Sequence, residues 1–236
     1  MSIERFSAGT HDEGHLLRSH VETRTPDQFF EHAEGELRGM HETVMNQVIP
    51  NLEQYAGKWH PLGFMVWHLG VNEGGESLRL HVWPRGERKK SPVGPHIHNH
   101  AWYLSSLVLA GEYTDTFFDV IDRGVVPEYE RKEAGFLRKY QLGYLPNGTD
   151  ALVTYGECVS VNPNEERQVP TGAIHNIVDG RYHVPTIGEE KTVATLVLDS
   201  VELGYKTTVL IDSPPAARQD PRIHISAQEA VAAKSL

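Results

Sequence analysis

The stretch Gly94-Pro-His96-Ile-His98-Asn-His100-Ala-Trp102-Tyr-Leu104-Ser-Ser-Leu-Val-Leu-Ala-Gly111-Glu112-Tyr113 decides how this chain is read. It opens on three histidines spaced two apart and runs through an apolar segment to a glycine. Side chains of an extended strand alternate between its faces. His96, His98 and His100 therefore share a side in a regular strand, and two imidazoles so placed can both reach one metal ion. Leu104 has the same parity and is expected to face the same interior. A further ligand must come from elsewhere. Pro170-Thr-Gly172-Ala-Ile-His175 supplies the candidate, a turn that delivers an imidazole to the start of the next strand.

On either side of this stretch the chain reads as short strands. β-type runs fall at 64–69, 77–83, 102–109, 113–120, 151–155, 159–161, 193–199 and 207–211. Turn signals separate them, among them Asn72-Glu-Gly-Gly75, Pro146-Asn-Gly148 and Asp179-Gly180. Many short strands with such turns argue for a sandwich or barrel rather than a βαβ sheet. Before them stands a helix signal. Thr25-Pro26-Asp27-Gln28 offers a capping hydroxyl, a proline at the first helical position and a glutamine at the capping-box position. Phe30, Ala33, Leu37, Met40, Val44 and Val48 then form one amphipathic stripe, ending before Pro50. Near the C-terminus, Ser226 is the cap of a short expected helix.

His98-x-His100, Leu104 and Gly111 have the spacing of the first cupin motif, and Pro170, Gly172 and His175 that of the second. Taken together and in this order, the chain resembles the cupin superfamily over roughly residues 60 to 212. The position normally held by a glutamate ligand is Leu104, which cannot ligate. Asn164 and Asp179 depart from the motif's Gly and Asn, in loops that touch no ligand. A donor set without the glutamate is similar to that of the three-histidine, cysteine dioxygenase-like branch. The resemblance implies a mainly β chain: an N-terminal arm and α-helical cap over 1–60, a single double-stranded β-helix (jelly-roll) barrel over 61–215, and a tail with a short helix over 216–236. The expected metal ligands are His98, His100 and His175, with His96 open as a replacement for either of the first two.

The same resemblance implies a mononuclear non-haem Fe(II) oxygenase acting on a small anionic substrate and O₂, and a homodimer. Three neutral imidazoles leave the ion its full charge, which favours anionic donors from the substrate. Affinity alone ranks Ni²⁺, Cu²⁺ and Zn²⁺ above Fe²⁺, and three histidines plus water are equally the open site of catalytic zinc. A Zn²⁺, Mn²⁺ or Ni²⁺ isomerase or lyase stands as the alternative, with a non-catalytic small-ligand-binding cupin as the third reading. The resembled dioxygenases pair an early-strand arginine with a substrate carboxylate. Arg79 in Leu78-Arg79-Leu80-His81-Val82-Trp83 is the candidate, with His81 beside it. Alternation puts Arg79, His81 and Trp83 on one face and the aliphatic residues on the other, and which face lies inside stays open. A tyrosine near the metal would be Tyr155, Tyr182 or Tyr205. His60, His68, His183 and His224 carry no spacing signal and read as ordinary histidines, as does His81 if its face is outward. Trp102 is either a pocket wall or plain core. Glu112 reads as structural.

Composition narrows the classes. The chain has 236 residues, 39% of them hydrophobic and 23% charged, with 21 glycines and 14 prolines, values of a globular, loop-rich protein. A formal charge of −10 argues against nucleic acid and anionic membranes, both of which need basic patches. The one cysteine, Cys158, excludes an intrachain disulfide and a cysteine-based zinc cluster, and reads as a buried, inert thiol. Fourteen histidines raise the expectation of a metal site without locating it. No signal-peptide-like or membrane-spanning run is visible, so a cytoplasmic protein is expected.

Overall fold

Helix α1 (Pro26–Thr43) begins where its signal places it in the computed structural model, which describes residues 24–86, 88–89, 97–144, 149–154, 156–204, 206–212, 219–221 and 223–235. The Gln28 N–H donates to the Thr25 hydroxyl, and the Thr25 N–H donates to the Gln28 side chain at 3.0 Å. Caps of this kind are worth about 1 kcal/mol. The buried stripe is Phe29, Ala33, Leu37 and Met40. It starts at Phe29 rather than at the expected Phe30, which packs only partly against the same core. The helix continues through a π turn (Val44–Val48) into a 3-10 turn (Ile49–Gln54) that accommodates Pro50 in its first turn.

The strands are β1 (Gly57–Trp59), β2 (Met65–Val71), β3 (Ser77–Trp83), β4 (Ile97–His98), β5 (Leu104–Ala110) and β6 (Glu112–Val125). After helix α2 (Glu128–Ala134) come β7 (Leu137–Tyr144), β8 (Thr149–Val153), β9 (Glu157–Pro170), β10 (Ile174–Ile177), β11 (Tyr182–Thr186), β12 (Val193–Asp199), β13 (Thr208–Ile211) and β14 (Gln219–Pro221). Helix α3 (Ala227–Ala232) closes the chain behind its Ser226 cap. The strands form two antiparallel sheets. The first has the order β1-β2-β3-β12-β5-β10. The second has the order β13-β4-β11-β6-β9-β7-β8-β14, and β13 also pairs with β7, so this sheet curls back on itself.

Alternation gives the first sheet two unlike faces. Leu78, Leu80 and Val82 of β3, Leu107 and Leu109 of β5, and Leu196 and Leu198 of β12 form one core with the buried stripe of α1. Each fully buried aliphatic side chain of this size contributes about 1.5–3 kcal/mol. The opposite face looks toward the second sheet. Phe64, Val66, Trp83, Val108 and Val193 meet Tyr113 and Val169 there, and Leu104, Ile177 and Val197 meet Phe117. Arg79, His81, Trp83, Thr195 and Asp199 therefore lie on the inner face, which resolves the alternative left open for β3.

The expected continuous strand through the clustered histidines is corrected. β4 ends at His98, residues 99–103 break the strand, and β4 belongs to the second sheet while β5 belongs to the first. Leu104 is buried on the inner face as its parity implies. The short run at 159–161 is part of a strand of 14 residues paired along β6, and α2 has no counterpart in the sequence reading. Among the described residues, no helix is long and apolar enough to cross a membrane.

Candidate metal centre

Strand β11 lies between β4 and β6, and this places His183 directly opposite His98 on one side and Phe117 on the other. His100 follows β4, held where the Gly180 N–H donates to its carbonyl at 2.9 Å. One ring nitrogen from each of His98, His100 and His183 lies within 4.8 Å of the others. The Nε2 atoms of His100 and His183 are 3.1 Å apart. Two nitrogens bound at about 2.0–2.1 Å to one tetrahedral or octahedral ion lie about 3 Å apart, so the pair already has the spacing of co-ligands. Ring centroids 5.0 Å (His98–His100), 4.5 Å (His98–His183) and 5.2 Å (His100–His183) apart complete the cluster.

The electrostatics suit a cation. Burial, and then the neighbouring His98, His183, Arg79 and His60, push the His100 pKa well below its ordinary 6.5. Its imidazole is neutral at neutral pH, the form that ligates. Behind His183 sits Asp115 of β6, whose carboxylate lies 2.9 Å and 3.0 Å from His183 Nδ1. A proton on that nitrogen leaves Nε2 as the ligating atom. Burial would raise the Asp115 pKa, but the His183 charge and hydrogen bonds from His175 and His183 outweigh it and hold the carboxyl well below the ordinary carboxylate range. The three imidazoles, the neutral form of His100 and the carboxylate behind His183 fit a divalent ion.

The third imidazole in this cluster is His183, not the His175 that the motif spacing predicts. His175 is buried on β10, opposite Ser106 of β5, and so belongs to the first sheet. Its Nε2 lies 2.7 Å from Asp115 Oδ2, so the carboxylate is shared between it and His183. Sequence reasoning misses both His183 and Asp115. Asp115 does carry a signal, a carboxylate at an inward position between the aromatics Tyr113 and Phe117. His183 carries none, since its partner strands are distant in sequence.

Arg79 and His81 reach the interior as one of their two readings requires, and Arg79 is ion-paired there. Its Nη2 donates to Asp199, which also accepts from Trp102 Nε1 at 3.0 Å. His81 packs 4.8 Å from the Phe64 ring and 6.0 Å from Trp83. Trp102, 5.5 Å from the His100 ring, is both wall and core. Tyr182 faces away from His183 along β11 and donates to Thr208. Tyr155, Tyr205 and His96 lie outside the described residues. Tyr113 is a buried tyrosine 5.9 Å from the His175 ring, its pKa raised by burial against an opposing hydrogen bond with Ser106. Glu112 is an exposed partner of Lys191, and Cys158 is buried.

The sequence matches no family model and no curated protein. Among solved structures it is similar to the DMSP lyase DddQ from Ruegeria pomeroyi DSS-3, at 14% identity and a TM-score of 0.32, over 66% of this chain and 54% of that one. It is likewise similar to hydroxypropylphosphonic acid epoxidase from S. wedmorenis, at 14% identity and a TM-score of 0.35, over 63% of this chain and 56% of that one. The matched region thus spans just over half of those chains. Likeness at this level assigns no residue and no activity here.

Proposed function

We propose that this protein is a metal-dependent enzyme of the cupin type, acting on a small anionic molecule, with a divalent ion held by His98, His100 and His183. The observation that carries the reading is the convergence of three imidazole nitrogens within 4.8 Å, with Asp115 hydrogen-bonded behind one of them. Two antiparallel sheets, with this cluster on adjacent strands of the second, support the cupin reading.

The protein's own residues have distinct tasks. His100, kept neutral, offers a lone pair without a proton to displace. Asp115 fixes the His183 tautomer and ring orientation, and His175 fixes Asp115 from the other side. Trp102 and Phe117 exclude water from two sides of the cluster. With neutral imidazoles, one nearby carboxylate leaves the centre net positive, which favours an anionic substrate. When bound, the ion supplies Lewis acidity and open positions for a chelating substrate, and as Fe²⁺ for dioxygen as well. An iron-dependent oxygenase, with thiol dioxygenases as the parallel, is the form we favour, because the three nearest donors are all imidazoles.

Elemental analysis of protein prepared without added metal, paired with oxygen uptake against small thiols and 2-oxo acids, tests this. Iron with uptake supports it. Stoichiometric zinc, manganese or nickel without uptake favours an isomerase or lyase. Protein that binds no divalent ion ends both readings.

A further inference from the structure

Beyond the histidine cluster, the inner side of the second sheet carries a second group of charges. Asp115 pairs in register with Arg167, and Phe117 with both Glu165 and His183. Paired residues share a face, so Glu165 and Arg167 of β9 point inward with Asp115 and Phe117. Arg181, two residues before His183, has the same parity. The two guanidinium carbons stand over one ring, Arg181 at 4.0 Å and Arg167 at 5.0 Å from the Phe117 centroid. That ring is fully buried, with its centroid 6.0 Å from the His183 ring and 5.8 Å from the His175 ring. The arginines are thus one aromatic ring away from the metal cluster.

Their charge is incompletely balanced. Both donate to the single carboxylate of Glu165, one to each oxygen. Hydrogen bonds from Arg167, then Arg181, hold the Glu165 pKa below its ordinary value, so these three side chains carry two cations and one anion, and the Asp115 carboxylate opposite Arg167 is already engaged by His175 and His183. Arg79 differs, being matched by Asp199 and having a side chain only 17% exposed. The side chains of Arg181 and Arg167 are 31% and 39% exposed, which places them at an opening rather than in the core.

We infer that Arg167 and Arg181 form an oxyanion-binding subsite at the mouth of the metal centre, taking the carboxylate, sulfonate or phosphate end of the substrate, with Glu165 bridging the two guanidiniums in its absence. The inference rests on the metal-centre reading for its purpose, though not for its test. Planar guanidiniums bind such groups through paired, charge-assisted hydrogen bonds, and two side by side are selective for a tetrahedral or planar oxyanion.

Inorganic phosphate is the probe, titrated calorimetrically into metal-free full-length protein. The wild type is expected to bind it. The Arg167→Gln/Arg181→Gln variant should bind at least about tenfold more weakly, the loss of charge-assisted hydrogen bonds. Glu165→Gln should bind severalfold more tightly, because it removes the competing carboxylate, an increase that mere destabilisation cannot produce. No binding to the wild type, or equal affinity in all three proteins, overturns the subsite. A separate Co²⁺ titration of the wild type, followed by its visible absorption, reads the histidine cluster alone. Its failure would remove the metal reading and leave the phosphate result standing.

Discussion

Leu78, Leu80 and Val82 leave β3 on one side, and Arg79, His81 and Trp83 leave it on the other. Across the sheet the same division runs through β12, where Leu196 and Leu198 oppose Thr195, Val197 and Asp199. The aliphatic face is sealed by α1 and contains almost nothing but hydrocarbon. The other face looks into an interior where His81, His175, Asp115, His183 and Asp199 are all buried. Burying polar groups is costly unless each finds a partner. Here partners come from other strands and from the segment before β5: His175 to Asp115, Asp115 to His183, Arg79 and Trp102 to Asp199. One set of strands thus separates stability from chemistry by parity alone. The outer face holds the fold, and the inner face carries charge that the fold must support.

That division can be broken from either side. The largest effect is expected on the inner face. His98→Ala, His100→Ala or His183→Ala should each lower Co²⁺ affinity by more than about 100-fold, since loss of a ligand exceeds the roughly 10–100-fold cost of losing an outer hydrogen-bond partner. Asp115→Asn should fall in that lower range, with circular dichroism unchanged in all four. If His183→Ala binds Co²⁺ like the wild type while His175→Ala does not, the ligand assignment is reversed. On the outer face, Leu80→Ala should cost about 2–5 kcal/mol in urea unfolding and leave the Co²⁺ affinity of the folded protein unchanged.

Acid should act through the inner face. The unfolded chain protonates His100 near the ordinary 6.5, whereas the folded protein resists it. As pH falls below that value the unfolded state takes up the extra proton, so stability present at higher pH is lost. Asp115 adds a second loss only below its ordinary 3.8, where the unfolded carboxyl protonates first. The urea midpoint of metal-free protein should therefore fall between about pH 7 and pH 5, and His100→Gln should flatten that slope. The smallest expected effect is at the helix cap: Thr25→Ala should cost about 1 kcal/mol in the same unfolding assay, without any change in metal binding.

The features legible in sequence are those written in neighbouring residues. A capping box spans four positions, and a helical stripe repeats every turn, so Thr25, Gln28 and the α1 face can be read directly. The histidines at 98 and 100 are legible for the same reason. Parity places Leu104 inside correctly although the strand assumed to link it to His98 is broken, because both sides of the break face the same interior. That His175 stands one residue back from the group of three was not legible for the opposite reason: a motif spacing carries a residue to a neighbourhood, and the Asp115 it meets there comes from a different strand.

By itself, the sequence determined which segments alternate, where the helix caps fall, that His98 and His100 lie close enough in the chain to be candidate donors for one ion, and that the net charge is strongly negative. Only the tertiary structure decided which face of β3 is inside, that His183 completes the cluster, and that Arg79 is already paired. Those outcomes depend on strand register across the sheets. Register is settled by packing between residues far apart in the chain, as where the Asn99 side chain accepts from the Thr208 N–H at 2.7 Å, and it leaves no trace in local spacing.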